Sequence, residues 1–229
     1  MLVNMEQKLR FEGVYDQRTL RHLKLSGVKD FSFDFSPTSF NFVQEYVFLE
    51  NLLTILDPSD KIFLHFKRSN DPMIEKLVLD IKKNGRSLEN VFFEIDEWSN
   101  EMGPQEFSYN YLINYTNDLD HKNLRGDHFR GFIFNFTFLE YLYNQKLIRK
   151  FAINFHTHFQ TILSEHSLMV LQANWDSNLI STLFDIFDFN VLSYPINSNL
   201  EICYRNVDLK KLTSEIEIFK KNTSRFFNL

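Results

Sequence analysis

The chain has 229 residues, a net charge of -5, one cysteine, 26 phenylalanines and only 6 glycines. Average usage would give about 16 glycines, and none follows Gly131, so a glycine-rich phosphate loop of the P-loop or dinucleotide type is excluded from the C-terminal part. A composition of 44% hydrophobic and 24% charged residues excludes low-complexity and collagen-like classes.

No apolar run is long enough to span a membrane, and Met1–Lys8 lacks the basic and apolar parts of a signal peptide. Mild acidity without a basic cluster argues against nucleic-acid binding. Lone Cys203 fits a reducing cytoplasm, where the sequons at Asn114, Asn135 and Asn222 carry no meaning.

Short aromatic runs alternate with helical patterns along the chain. Leu9–Val14 reads as the first strand, and Asp16 caps a helix that stops at Gly27. Asp30–Ser36 is the second strand, and Phe42–Leu56 the second helix. Lys61–Lys67 is the third strand. Asp71-Pro72 opens the third helix, and Asn84-Gly85 ends it. Val91–Asp96, Tyr109–Tyr115 and Gly131–Phe136 are strands four to six. A helical stretch, Phe138–Leu163, is expected to break near Phe151. Leu168–Asn174 is the seventh strand, Leu179–Phe187 a helix, Asn190–Tyr194 the eighth strand and Asp208–Lys221 the last helix. Eight strands with helices between most of them predict a single (β/α)8 barrel over 1–229, with a doubly wound open sheet as the alternative.

Buried parallel strands usually read as continuous apolar runs, but these alternate. Phe31, Phe33 and Phe35 alternate with Ser32, Asp34 and Ser36; Val91, Phe93 and Ile95 alternate with Phe92, Glu94 and Asp96. A period of two assigns each set to one face. With the apolar set under the helices, the lumen receives Arg10, Glu12, Asp34, His65, Lys67, Glu94, Asp96, Asn114, Asn135, Gln172 and Asn174. Arg10 and Lys67 offset two of the four carboxylates, which leaves an excess of two negative charges if His65 is neutral. This polar interior has three readings: half-solvated strands, a structural ion-pair network, or a pocket at the C-terminal mouth where barrel enzymes keep their sites. Glu12, Ser36, Lys67, Asp96, Asn135, Asn174 and Tyr194 would lie nearest that mouth.

Leu9-Arg10-Phe11-Glu12-Gly13-Val14, followed by Asp16 and Thr19, resembles the first strand of the phosphoribosylanthranilate isomerase family. Phe33-Asp34-Phe35-Ser36-Pro37-Thr38-Ser39-Phe40-Asn41-Phe42-Val43 resembles its second strand and loop, and Asn206-Val207-Asp208-Leu209-Lys210-Lys211-Leu212 its entry to the last helix. The resemblance implies a barrel of tryptophan biosynthesis, but its working residues are replaced. The strand-one cysteine base becomes Glu12, the strand-six aspartate acid becomes Asn135, and the second-loop arginine becomes Asn41. The phosphate loops of the family contain glycine. Here the corresponding loops read Phe136-Thr137-Phe138, Ala173-Asn174-Trp175 and Tyr194-Pro195-Ile196.

The expected function is therefore a barrel with the isomerase reaction lost, acting by binding or interaction. The alternatives are an enzyme of other chemistry using Glu12, Asp34, His65 and Asp96, or a divergent isomerase with Glu12 as base. Arg10, Lys67, Asn41, Asn174, Trp175 and Tyr194 are the ligand-binding candidates, the two aromatics by stacking. No cofactor and no metal are assigned: His156 and His158 diverge on a helix, and the lumen acids are more readily paired by Arg10 and Lys67. Cys203 has no histidine partner to activate it. A small-molecule ligand, a protein partner or a homodimer is compatible with the chain.

Overall fold

The computed structural model describes residues 8–99, 107–119, 124 and 127–226. Eight parallel strands close into a barrel in sequence order: β1 (Lys8–Glu12), β2 (Asp30–Asp34), β3 (Lys61–Arg68), β4 (Val91–Glu97), β5 (Tyr111–Asn114), β6 (Phe129–Asn135), β7 (Leu168–Gln172) and β8 (Val191–Pro195). Closure rests on β1 and β8, which pair from Lys8 opposite Val191 to Glu12 opposite Pro195. That pairing excludes the open sheet.

Local chemistry sets most of the helix ends. Asp16 accepts a hydrogen bond from the Thr19 N–H and opens α1 (Gln17–Leu25). Asp71 accepts from the Met73 N–H and Pro72 fills the first turn of α3 (Pro72–Lys83). The second helix departs from expectation. It is split into α2 (Glu45–Val47), a π turn over Phe48–Leu52 and a 3-10 turn over Leu53–Ile55. This irregular winding still buries Phe48, Leu52 and Leu53. The long helical stretch breaks earlier than Phe151, between α4 (Phe136–Asn144) and α5 (Ile148–Phe159), where Lys146 takes φ 60°. After α6 (Ile180–Phe184) and β8 comes a hairpin absent from the sequence reading, β9 (Glu201–Cys203) against β10 (Asn206–Val207). α7 (Leu209–Phe226) closes the chain.

The outward strand residues Phe11, Phe31, Phe33, Phe93, Phe132 and Phe134 are fully buried against the helix layer. Around β6 the packing is almost wholly aromatic. Phe132 meets Phe155 and Phe159 edge-on at 5.2 and 4.7 Å, and Phe134 meets Phe155 at 5.1 Å. Such pairs add about 0.5–1.5 kcal/mol each beyond area burial.

The lumen is not polar throughout. Phe63, Phe92, Leu112, Ile133, Leu168, Val170 and Val191 form a separate apolar cluster. The middle inward positions carry apolar side chains, the upper ones carry the charges described below, and Lys8, Asp30 and Lys61 lie at the bottom. The expectation of a polar interior is refined in that sense: a packed plug separates two charged ends.

Gly131 is the position where backbone approach is tightest. It has φ 143°, and a Cβ there would lie 1.9 Å from the Leu168 carbonyl oxygen on β7. A Gly131→Ala variant is expected to lose about 3 kcal/mol or more of unfolding free energy in urea, because β6 and β7 must separate. A loss within ordinary surface scatter would contradict this account of the contact.

Candidate functional site

Register brings the first polar layer together. Arg10 on β1 stands opposite Ser193 on β8, and Ser193 opposite Gln172 on β7. Arg10 is wholly buried. Its Nε donates to Ser193 Oγ at 2.9 Å, its Nη1 to Glu94 Oε1, and its Nη2 to Glu12 Oε2 at 3.4 Å. Ser193 passes a hydrogen bond on to Glu12 Oε2 at 3.0 Å, and Gln172 donates to the same oxygen at 3.1 Å. Ser32 donates to the other Glu94 oxygen at 2.7 Å. Below, the guanidinium lies 4.9 Å from the centre of the Phe63 ring. Burial pushes the Arg10 pKa down, and Glu12 and Asp30 push it back up.

The second layer lies nearer the mouth. His65 Nδ1 donates to Asp34 Oδ1 and His65 Nε2 to Asp96 Oδ1, each at 3.0 Å. Asn114 also donates to Asp96, and the Ser36 N–H donates to Asp34 at 2.8 Å. Burial would lower the His65 pKa, but the two carboxylates outweigh it and raise it to about 10. His65 is therefore an imidazolium at neutral pH. Burial likewise lifts Asp34, but the hydrogen bonds from His65 and its neighbours carry it below the usual carboxylate range.

The expected charge balance is kept by a different residue. Lys67 is exposed and pairs with no carboxylate among the described residues. Protonated His65 takes its place, so Arg10 and His65 face Glu12, Glu94, Asp34 and Asp96 and an excess of two negative charges remains.

The other candidates are dispersed. Asn135 sits at the N-cap of α4, where its side chain accepts from the Thr137 N–H at 2.9 Å. Asn174 is exposed beyond β7, and its carbonyl accepts from Ser177. Trp175 and Tyr194 stack at 4.5 Å, the indole donates to the Pro195 carbonyl, and Tyr194 meets Phe219 of α7. They belong to the helix layer rather than to an open stacking site, and burial pushes the Tyr194 phenol up to about 12. Asn41 donates to the Ile196 carbonyl at 2.6 Å and ties the loop after β2 to the loop after β8. Gly13 makes that tie accessible, since a Cβ there would sit 2.3 Å from Asn41 Nδ2. Phe138 packs on Tyr115 and Phe151 in the helix layer.

Sequence reasoning left Ser32 and Ser193 out of the polar set. Strand parity could have found Ser32, which shares a face with Asp34, whereas Ser193 is placed by the register of β8 on β1. Among the described residues, no group of three or more His, Cys, Asp and Glu side chains is arranged to hold a metal ion. No helix among them is long and apolar enough to cross a membrane.

A closed parallel eight-stranded barrel with its polar groups gathered at the C-terminal end defines the TIM-barrel class. Within that class the chain has the fold of phosphoribosylanthranilate isomerases. The Thermotoga maritima enzyme superposes with a TM-score of 0.61 at 14% identity, covering 94% of this chain and 98% of that one. The Thermus thermophilus enzyme gives 0.60 at 10% identity, covering 94% and 99%. A third, in complex with reduced 1-(o-carboxyphenylamino)-1-deoxyribulose 5-phosphate, gives 0.60 at 14%, covering 92% and 97%. No protein-family model and no curated protein matches the sequence.

Two outcomes follow from the paired layers. Replacing Arg10 by Met strands Glu94 and Glu12, so unfolding free energy should fall by about 3–5 kcal/mol; a neutral result in urea would refute the pairing. The His65 pKa is higher folded, about 10, than its ordinary 6.5. Its stabilisation is thus complete below about 6.5 and is lost as pH rises through about 10. Wild-type stability should drop by a few kcal/mol across that window, and His65→Asn should flatten the profile.

Proposed function

We propose that this chain is a phosphoribosylanthranilate isomerase-shaped barrel that no longer runs the isomerase reaction and works by binding a small molecule or a protein. The observation that carries the reading is the state of Glu12. The isomerisation requires a base to take a proton from carbon and an acid to deliver one to the ring oxygen. Glu12 stands at the position of the base, but one of its oxygens already accepts from Arg10, Ser193 and Gln172. Freeing it would break an ion pair with a buried guanidinium, which is strongly unfavourable.

The acid position supports the same reading. Asn135 has an amide that does not titrate near neutrality, and it is occupied in capping α4. Asn41, at the arginine position, is tied to the loop after β8. Two surplus negative charges in the upper lumen would also repel a phosphorylated substrate. The exposed thiol of Cys203 and the absence of a membrane-spanning helix among the described residues are compatible with a cytoplasmic protein.

One observation favours a second reading, an enzyme of different chemistry. Asp34, His65 and Asp96 converge in one hydrogen-bonded row, and the Asp96 side chain keeps 39% exposure toward solvent. Asp96 is the group through which such chemistry would act.

The decisive experiment incubates the purified protein with phosphoribosylanthranilate and follows substrate loss. We expect no turnover above the uncatalysed background and no growth rescue of a tryptophan auxotroph lacking the isomerase. Turnover on the order of 1 per second or faster would overturn the proposal.

A further inference from the structure

The opposite end of the barrel has the reverse electrostatic character. At the N-terminal ends of the strands a cavity of about 220 Å³ is lined by Lys61, Glu89, Phe92, Asn110, Arg130, His166 and Leu168. Lys61 opens β3 and Leu168 opens β7, while Arg130 is the second residue of β6. Lys8, the first residue of β1, stands beside Lys61. Between these lysines lies Asp30, almost fully buried, whose Oδ2 has no hydrogen-bond partner. Both ammonium groups act on this carboxylate electrostatically without an ion-pair contact, and two cations against one carboxylate leave a positive excess.

Lys61 forms no ion pair among the described residues. Its ammonium lies 5.4 Å from the centre of the Phe92 ring, and Phe92 stacks on Phe63 at 5.0 Å. The cation therefore rests on a rigid aromatic floor at the lower edge of the packed plug. Arg130 is fixed from behind: its Nη1 donates to the carbonyls of Asp127 at 2.7 Å and Phe129 at 3.2 Å. Glu89 lies at the rim, and its carbonyl accepts from the Asn110 side chain at 3.2 Å. Burial lowers the Lys61 pKa, and an incoming anion would raise it again.

We propose that this N-terminal mouth is an anion site, taking a small oxyanion, phosphate or carboxylate, between Lys61 and Arg130 over the Phe92 ring. A guanidinium and an ammonium held a cavity's width apart make charge-assisted hydrogen bonds to such a group. The space admits a free anion or the acidic end of a small metabolite. The site is remote from the mouth described above, so it stands or falls independently of the isomerase assay.

Isothermal titration at constant ionic strength, with chloride exchanged for inorganic phosphate in one arm and for acetate in the other, tests it. Saturable binding in at least one arm is expected. Phosphate alone would assign a dianion site, and binding in both arms a general oxyanion site. Lys61→Met and Arg130→Met should each weaken binding about tenfold or more, and Glu89→Gln at the rim should tighten it. No saturable binding to the folded wild-type protein in either arm overturns the proposal. So does binding that neither lysine nor arginine replacement nor the Glu89 change alters.

Discussion

Arg10 stands on β1 with its side chain wholly inside the barrel, and a guanidinium there must be compensated. Glu94 from β4, Glu12 from β1 and Ser193 from β8 supply that compensation, and Ser32 from β2 and Gln172 from β7 complete the carboxylates' partners. Five strands therefore converge on one cation. Below it an apolar plug fills the lumen, and above it the row Asp34–His65–Asp96 closes the polar layers. Removing the central charge would leave the Glu94 and Glu12 carboxylates without their counter-charge, so the upper lumen is organised around this contact.

The same arrangement sets the surroundings of the titratable groups that the sequence places in the lumen. Glu12 and His65 are the residues a chemist would choose as base and acid. Glu12 is spent on Arg10, and His65 is clamped between two carboxylates that keep it protonated. General acid–base catalysis works best with a pKa near the operating pH, and a histidine held at about 10 is a poor proton donor at neutrality. Each of the two groups is held in a charge-paired contact.

The glycine shortage has a matching structural meaning. After β6 the chain enters α4 directly through Asn135, with no loop to cradle an anion. After β7 and β8, Trp175 bonds the Pro195 carbonyl and Asn41 bonds the Ile196 carbonyl, so the loops are held by side chains. Positive charge has instead collected at the far end, around Lys8, Lys61 and Arg130. The upper lumen keeps an excess of two negative charges, the reverse of what a phosphate ligand at the C-terminal mouth would need.

Much of the local chemistry was readable from residues alone. Asp16, Asp71 and Pro72 marked helix starts, and the two-residue alternation of apolar with polar residues marked the inward face of most barrel strands. These signals depend only on neighbours in the chain. Which inward residues meet is another matter, because it depends on the register between strands far apart in sequence. Lys67 and His65 have the same parity, but only His65 reaches the carboxylates, since Lys67 lies past the rim in solvent. Ser193 becomes a partner of Arg10 only because β8 closes on β1. The β9–β10 hairpin and the broken second helix also escaped, as short elements carry too few residues to show a period. The sequence by itself determined the fold and the charged core of the lumen; barrel closure decided which residues reach it and how they pair, and with it which charges were neutralised.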